Sequence, residues 1–321
     1  MSTNSISEEA RDLPVIHETD ILVVGGACTG VFAAVRAARL GARVAVVEKQ
    51  NCFGGVATAG LVNIWHSLHN EGKKRRIIAG LTAETIERLD GCDAVHRSPH
   101  PVDAFRLNTK ELKIELDELV TEHGIEPFLH THFSAPLLKD RELVGVVVEN
   151  KSGRGAILAK RFVDASGDGD LARRAGCATL PVETLQPPPT CAKYSGMRSL
   201  ADWYWEAAPD EHGAEYGLEP DWGWASLIPG LPEIEMHADS HVFNADLSRG
   251  DVLTRSEIEG RRKVRQSRRR PLAAGAPPPT RPSTRYRSAR SSRTVFRTSS
   301  WPDACWTPTR RPTAPSASWS T

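Results

Sequence analysis

The sequence lacks the features of several protein classes. Its six cysteines include no CxxC pair, so a zinc site or a thioredoxin-like motif has no support. No apolar run reaches the ~18 residues of a membrane-spanning helix. The N-terminal segment MSTNSISEEARDLP is polar and acidic, unlike a secretory signal. We therefore expect a cytoplasmic protein with reduced thiols and no membrane partner.

Charge is unevenly distributed along the chain. The 41 basic and 40 acidic side chains nearly cancel, giving a formal net charge of +1. The segment 265–321 nevertheless contains twelve arginines, no lysine and one acidic residue, and only three of its residues are Leu, Ile, Val or Phe. Such a segment cannot bury enough apolar surface to offset the entropy of ordering. We predict a disordered basic tail, with a nucleic-acid-binding arm as the alternative.

The N-terminal part alternates apolar runs with helical patterns. DILVVGG (20–26) and RVAVVEK (43–49) are typical of buried strands, and the Ala-rich GVFAAVRAARLGA (30–42) lies between them as a helix that stops at Gly41. Such a βαβ unit requires a parallel sheet. The pattern further predicts a helix at 109–124 with an apolar stripe of Leu112, Leu116, Leu119 and Val120. It also predicts a strand at 125–133 and a hairpin at 142–166 whose second arm continues into a buried strand.

The turn between the first strand and helix carries a phosphate-binding pattern, G-G-A-C-T-G. Gly25 supplies the tight turn, Gly30 allows close helix packing, and the helix N-terminus presents amide groups to a pyrophosphate. Glu48, at the end of the second strand, suits hydrogen bonding to ribose hydroxyls. Ala27 stands where the pattern has its middle glycine, and Gly26 gives the loop freedom to compensate. We predict dinucleotide binding rather than a turn that serves packing alone.

Two further segments exceed what a simple nicotinamide-binding unit needs. The loop NCFGGVATAG (51–60) contains Gly54 and Gly55, which allow the backbone to lie against a large ligand. In RFVDASGDGDLARRAG (161–176), a strand turns into a helix through small residues, and we expect Asp170 to cap that helix.

These segments resemble the FAD-dependent oxidoreductases that share the glutathione-reductase-like FAD fold. The matching pieces are DILVVGGACTGVFAAVRAARLGARVAVVEK, FGGVATAG, LNTKELKIELDELVTEHGIEPFLHT, ELVGVVVENKSGRGAILAKRFVDASGDGDLARRAG and LQPPPTCAKYSG, with RSEIEGRRKVR near the C-terminus. In this order they are specific for fold and cofactor and say little about substrate. The resemblance implies an α/β, Rossmann-like parallel sheet with a β-hairpin or meander, a partial second domain, and FAD as cofactor.

The resemblance also implies roles for individual residues. A pyrophosphate group would contact the turn after the first strand, and the adenosine ribose would contact Glu48. The double-glycine loop would lie toward the flavin. The strand end near Phe133 would flank adenine through its backbone. The implied cofactor-binding residues are Gly25, Gly26, Ala27, Thr29, Gly30, Glu48, Lys49, Gly54, Gly55, Thr58, Phe133, Ala165, Gly167 and Asp168.

Catalytic residues are less marked. His66 follows the flavin-side glycines and is a candidate acid/base group, although a structural histidine on a loop fits the pattern better. His69 is three residues further on, but no third ligand accompanies the pair, so we expect no metal. Cys28 lies at a helix N-terminus, a setting that can lower the pKa of a thiol.

We expect four regions: a flexible N-terminus (1–17), the FAD-binding domain (18–180), a partial substrate or cap domain (181–264) with a tryptophan-rich stretch at 202–224, and the tail (265–321). The likeness stops near Arg265, which suggests a truncated or frameshifted product with an incomplete flavin site. The leading interpretation is an oxidoreductase that transfers hydride between a small organic substrate and FAD, or its inactive remnant. A nucleic-acid-binding protein and an NAD-dependent dehydrogenase are the alternatives.

Overall fold

A computed structural model describes residues 5–98, 103–179, 185–195, 224–238 and 240–267. Nearly all of the tryptophan-rich stretch and the basic tail from residue 268 onward lie outside these ranges. The elements in chain order are β1 (Val15–Val24), α1 (Cys28–Arg39), β2 (Val44–Val47), β3 (Ile64–Trp65), α2 (Leu81–Asp90), β4 (Val95–Arg97), β5 (Phe105–Leu107), α3 (Thr109–Glu122), β6 (Glu126–Phe128), β7 (His132–Lys139), β8 (Glu142–Asn150), β9 (Gly153–Asp164), α4 (Asp170–Arg174), β10 (Ala192–Ser195), β11 (Trp224–Ile228), β12 (Leu231–Ala238) and α5 (Gly250–Ser267).

The main sheet has six strands in the order β6-β2-β1-β9-β8-β7. The first four of these strands are mutually parallel, with Val23 beside Val46 in the β1–β2 pair. β8 and β7 continue the sheet as an antiparallel meander. The arrangement confirms the predicted Rossmann-like α/β class, in which one long strand, β9, serves both the hairpin and the parallel sheet.

Both faces of the central strands are buried, which explains their continuous apolar sequences. One face packs against α1 and α3, where Leu112, Leu116, Leu119 and Val120 are fully buried. The opposite face holds a second cluster that includes Leu22, Val24 and Ile157. The predicted apolar stripe of α3 is therefore the stripe that the sheet covers, and Gly124 with a φ of 60° follows the end of the helix.

Three element boundaries differ from the sequence prediction. β1 begins at Val15, so the expected domain boundary at residue 17 falls inside a strand. The strand predicted at 125–133 is two strands, because the chain turns at His130 (φ 50°). β6 pairs with β2, whereas β7 pairs with β8 at the opposite edge of the sheet, so one continuous strand could not serve both.

Two smaller three-stranded sheets complete the described part of the chain: β3-β5-β4, and β10-β12-β11. The side chain of Asn108, the N-cap of α3, donates to the carbonyl oxygen of Pro229 at 3.1 Å and thus joins the second small sheet to the helix start. α5 begins at Gly250, so Ser256, the first polar residue of the SEIEGRRKVR pattern and its expected N-cap, lies instead in the interior of the helix. None of the helices in the described ranges has the length and apolar composition required to cross a bilayer.

Candidate cofactor site

The turn from β1 into α1 is packed so closely that it requires glycine at two positions. Gly25 has a φ of 105°, and a Cβ there would lie 2.1 Å from the carbonyl oxygen of Ala165. A Cβ at Gly30 would lie 1.9 Å from the carbonyl oxygen of Gly25. Both obstacles are backbone atoms that cannot rotate away. The close approach brings the β1 turn, the start of α1 and the end of β9 to one place.

The start of α1 carries amide groups without intrahelical acceptors. The first intrahelical hydrogen bond runs from the amide of Val31 to the carbonyl oxygen of Ala27, at 3.0 Å. The amides of Cys28, Thr29 and Gly30 precede it, and the first turn contains no acidic side chain. Thr29 is exposed beside them. This turn therefore presents hydrogen-bond donors and the positive end of a helix dipole to an anion.

Glu48 is held rigidly at the carboxyl end of β2. One of its carboxylate oxygens accepts the amide of Gly26 and the other accepts the amide of Gln50, both at 2.7 Å. The residue is 6% exposed. The carboxylate thus organises the phosphate loop from behind, a role that its sequence position did not indicate. Lys49, the next residue, is exposed.

The double-glycine loop lies directly against the phosphate loop. The amide of Gly54 donates to the carbonyl oxygen of Gly26 at 2.9 Å. A Cβ at Gly55 would come within 2.7 Å of the Cβ of Ala27. The missing side chain of Gly55 therefore leaves space for the methyl group of Ala27, which accounts for the departure from the glycine pattern at that position.

Thr58 does not face the ligand side of this loop. Its side chain is fully buried, and its hydroxyl donates to the carbonyl oxygens of Phe53 and Gly55. The hydroxyl thus fixes the loop from inside, and a contact of Thr58 with the cofactor stays a prediction.

The turn after β9 closes the site from a third direction. The amide of Ala165 donates to the carbonyl oxygen of Val24 at 2.8 Å, which ties the turn to β1. Gly167 has a φ of 94° and open space around its Cα. Burial raises the pKa of Asp168, and the nearby Asp170 and Asp246 add to the effect while Lys49 opposes it.

The cap of α4 is a different residue from the one predicted. Asp170 is the first helical residue and makes no side-chain cap. Asp164 accepts the amide of Ala172 at 2.9 Å, together with the amide and hydroxyl of Ser166. Burial opposes ionisation of Asp164, but these donors outweigh it and hold its pKa below the usual range. The capping carboxylate thus reaches forward from the end of β9.

Phe133 lies in β7 opposite Val148 rather than at the end of a strand beside β2. The guanidinium of Arg174 is 5.4 Å from the centre of its ring. Two residues earlier, Thr131 donates its amide to the carbonyl oxygen of Glu48 at 3.0 Å. The backbone near Phe133 is therefore tied to the end of β2, although its strand belongs to the meander.

His66 is exposed on the loop after β3. His69 has a more organised environment: its Nδ1 lies 3.2 Å from Oδ2 of Asp103, which also accepts the hydroxyl of Ser67 at 2.9 Å. Arg97 binds Oδ1 of the same carboxylate. Hydrogen bonds from Arg97 and Ser67 lower the pKa of Asp103. No local sequence pattern indicates this cluster, because Asp103 is distant from Ser67 and His69 along the chain.

The environment of Cys28 contradicts the expected effect of the helix N-terminus. Burial raises the pKa of its thiol to about 11. The sulfur lies 3.6 Å from the carbonyl oxygen of Gly54. Within the described ranges, no group of three or more His, Cys, Asp or Glu side chains is arranged to hold a metal ion.

Comparison with known proteins identifies the family. The family model described as FAD dependent oxidoreductase matches residues 20–272 of the chain. The chain belongs to this family. FAD is accordingly its cofactor, and the match extends beyond residue 265, where the recognisable likeness was expected to stop. None of the curated proteins matches the chain at significant similarity.

Among solved structures, one with a TM-score above 0.5 shares the fold of this FAD-dependent oxidoreductase, and two others are similar over part of the chain. A p-nitrophenol 4-monooxygenase from Pseudomonas putida DLL-E4 is 14% identical over 82% of this chain and 65% of its own, with a TM-score of 0.51. A geranylgeranyl bacteriochlorophyll reductase-like protein from Thermoplasma acidophilum is 14% identical over 70% of this chain and 56% of its own, with a TM-score of 0.42. A flavocytochrome c3 fumarate reductase is 21% identical over 47% of this chain and 34% of its own, with a TM-score of 0.35. The chain spans less than two thirds of each.

The residues of the first turn fit the adenosine and pyrophosphate portions of FAD. Glycine at positions 25 and 30 permits a close approach of backbone, the start of α1 offers unpaired amides, and the first turn contains no acid that would repel a pyrophosphate. These residues would therefore hold the pyrophosphate and adenosine portions of the cofactor.

Proposed function

We propose that this chain acts as an oxidoreductase that transfers hydride between a small organic substrate and FAD. The observation that carries the proposal is the start of α1, where free amides lie beside two glycine loops within the family-matched region. When bound, FAD supplies the redox chemistry, and the protein supplies binding and orientation. A cytoplasmic location belongs to the same proposal.

The proposed roles follow the order of the site. The amides of Cys28, Thr29 and Gly30 bind the pyrophosphate, with the hydroxyl of Thr29 exposed beside them. Glu48 keeps the phosphate loop in place and receives the ribose, with Lys49 alongside. Because both carboxylate oxygens of Glu48 already accept backbone amides, a ribose hydroxyl would use their remaining lone pairs.

The residues of the turn after β9 shape the site and take no part in the redox chemistry. A Cβ at Gly167 would meet nothing within 4 Å, so this part of the turn is open, and burial raises the pKa of Asp168 in the same turn. A carboxyl group that is protonated more readily offers less repulsion to a nearby phosphate. His66 remains a candidate acid/base group only because it is exposed on the loop that follows the flavin-side glycines.

The test is a titration of the purified protein with FAD. Binding is monitored by the quenching of flavin fluorescence and by the flavin absorbance band at about 450 nm. Glu48→Gln keeps the size of the side chain but replaces one acceptor with a donor that faces a backbone amide. Since hydrogen bonds to charged groups contribute about 1.5–3 kcal/mol, we expect FAD affinity to fall tenfold or more. Glu126→Gln, at an exposed position of β6, is the matched control. Failure of the unaltered protein to bind FAD would refute the proposal.

A further inference from the structure

The loop between the double glycine and β3 contains an unusual buried side chain, Asn63. Its exposure is 0%, and neither Oδ1 nor Nδ2 has a hydrogen-bond partner in the structure described. Buried side-chain amides almost always have partners, because desolvation without a replacement bond is costly. An orphaned amide of this kind indicates that a group outside the polypeptide completes its bonding.

Asn63 follows the double-glycine loop, which the proposed function assigns to the flavin side of the site. Gly54 and Gly55 lie against the phosphate loop, as described above. From there the chain folds back, because the amide of Val62 donates to the carbonyl oxygen of Val56 at 3.0 Å. The carbonyl oxygen of Asn63 then accepts the amide of Leu107 in β5, at 2.8 Å. Asn63 therefore follows directly after the double-glycine loop and lies beside β5.

The same loop has two other features of a segment that binds a ligand. Leu61 has a φ of 63°, a left-handed conformation that a bulky side chain adopts only at a cost. Val56 is 67% exposed although it is apolar. Strain, an exposed apolar side chain and an unpaired amide occur together within eight residues, and a flat aromatic ligand with polar edges would complement the last two.

We propose that the side-chain amide of Asn63 turns out of the protein when FAD binds and hydrogen-bonds the polar edge of the isoalloxazine ring. That edge carries both carbonyl acceptors and ring nitrogens, so it matches an amide that needs a donor and an acceptor. The proposal rests on FAD being the cofactor, and it adds a residue that recognises the ring rather than the phosphates.

The experiment compares FAD with ADP as ligands for the full chain. FAD carries the ring, whereas ADP contains only the adenosine and pyrophosphate. In Asn63→Leu, which has a similar shape without the amide, we expect FAD affinity to fall at least tenfold and ADP affinity to stay within twofold of the unaltered protein. The free variant should unfold at an equal or higher temperature, because an unpaired buried amide has been removed.

Two controls separate the possible outcomes. Asn70→Leu lies on the following loop, where Oδ1 of Asn70 accepts the amides of Lys74 and Arg75, and it should leave both affinities unchanged. Asn63→Ala repeats the titration in case the leucine variant does not fold. Unchanged FAD affinity in a folded Asn63 variant, or an equal loss for ADP, overturns this inference alone. Absence of FAD binding by the unaltered protein overturns the proposed function as well.

Discussion

Cys28 experiences two opposing influences on its thiol. The N-terminus of α1 favours a thiolate, whereas burial disfavours any charge. Burial dominates, since the pKa is raised to about 11. The sequence revealed the first influence and not the second, because the burial depends on the double-glycine loop, which contacts Cys28 through the carbonyl oxygen of Gly54.

We therefore predict that Cys28 is unreactive at neutral pH. An ordinary thiol of pKa ~8.5 is about a quarter ionised at pH 8, whereas a thiol of pKa about 11 is roughly 100-fold less ionised. Alkylation by iodoacetamide, followed peptide by peptide with mass spectrometry, should be at least that much slower at Cys28 than at the exposed Cys177. The rate should rise tenfold per pH unit towards pH 11, and both cysteines should react equally in urea. Equal rates in the native protein would contradict the assignment.

At the scale of elements, α3 shows how far periodicity can predict structure. The four residues of its predicted apolar stripe are fully buried, whereas Ile114, which lies off that stripe, is 49% exposed. The same reasoning failed at 125–133, because apolar character does not reveal a turn. That turn is fixed by the amide of Thr131 donating to the carbonyl oxygen of Glu48, a contact between distant segments.

α3 also supports the cofactor loop, and two of its leucines allow a matched test. A Cβ at Gly54 would lie 2.9 Å from Cδ1 of Leu116, so Leu116 packs directly beneath the loop. Leu119 is equally buried in the same cluster. Leu116→Ala and Leu119→Ala should each lower the free energy of unfolding by about 2–5 kcal/mol. Only Leu116→Ala should also weaken FAD binding markedly at a temperature where both variants are folded. Equal FAD affinities would show that the loop does not depend on Leu116.

At the scale of the whole molecule, the sequence predicted the parts of the site that follow from local pattern. Gly25 and Gly30 lie in the turn from β1 into α1 and Glu48 follows β2, as the pattern predicted, while their roles toward a cofactor stay predictions. Asn63 and the pairing of His69 with Asp103 were not recognised, because no local pattern indicates that an asparagine is buried or that a carboxylate from another segment approaches. The division at residue 180 stays a prediction, and the described residues beyond it contact α3 through a bond that no single segment reveals.

Asn108 provides the clearest of these joining contacts. Its Oδ1 caps α3 by accepting the amide of Lys110 at 3.0 Å, and its Nδ2 donates to the carbonyl oxygen of Pro229 at 3.1 Å. Asn108→Asp keeps the cap but replaces the donor with a carboxylate that faces a carbonyl. Asn108→Ala removes both, and the lost cap alone costs about 1 kcal/mol.

In Asn108→Asp we expect amide hydrogen exchange to accelerate in β11 and β12 while protection of β1 and β2 stays unchanged. Asn108→Ala should accelerate exchange in the first turn of α3 as well. Asn70→Asp is the control, because the acceptor bonds of Asn70 to the Lys74 and Arg75 amides survive that change. If exchange in β11 and β12 is unaffected in both Asn108 variants, the small sheet is held to the FAD-binding sheet by other contacts. If it accelerates, this single amide couples the segment beyond residue 180 to the helix that supports the cofactor loop.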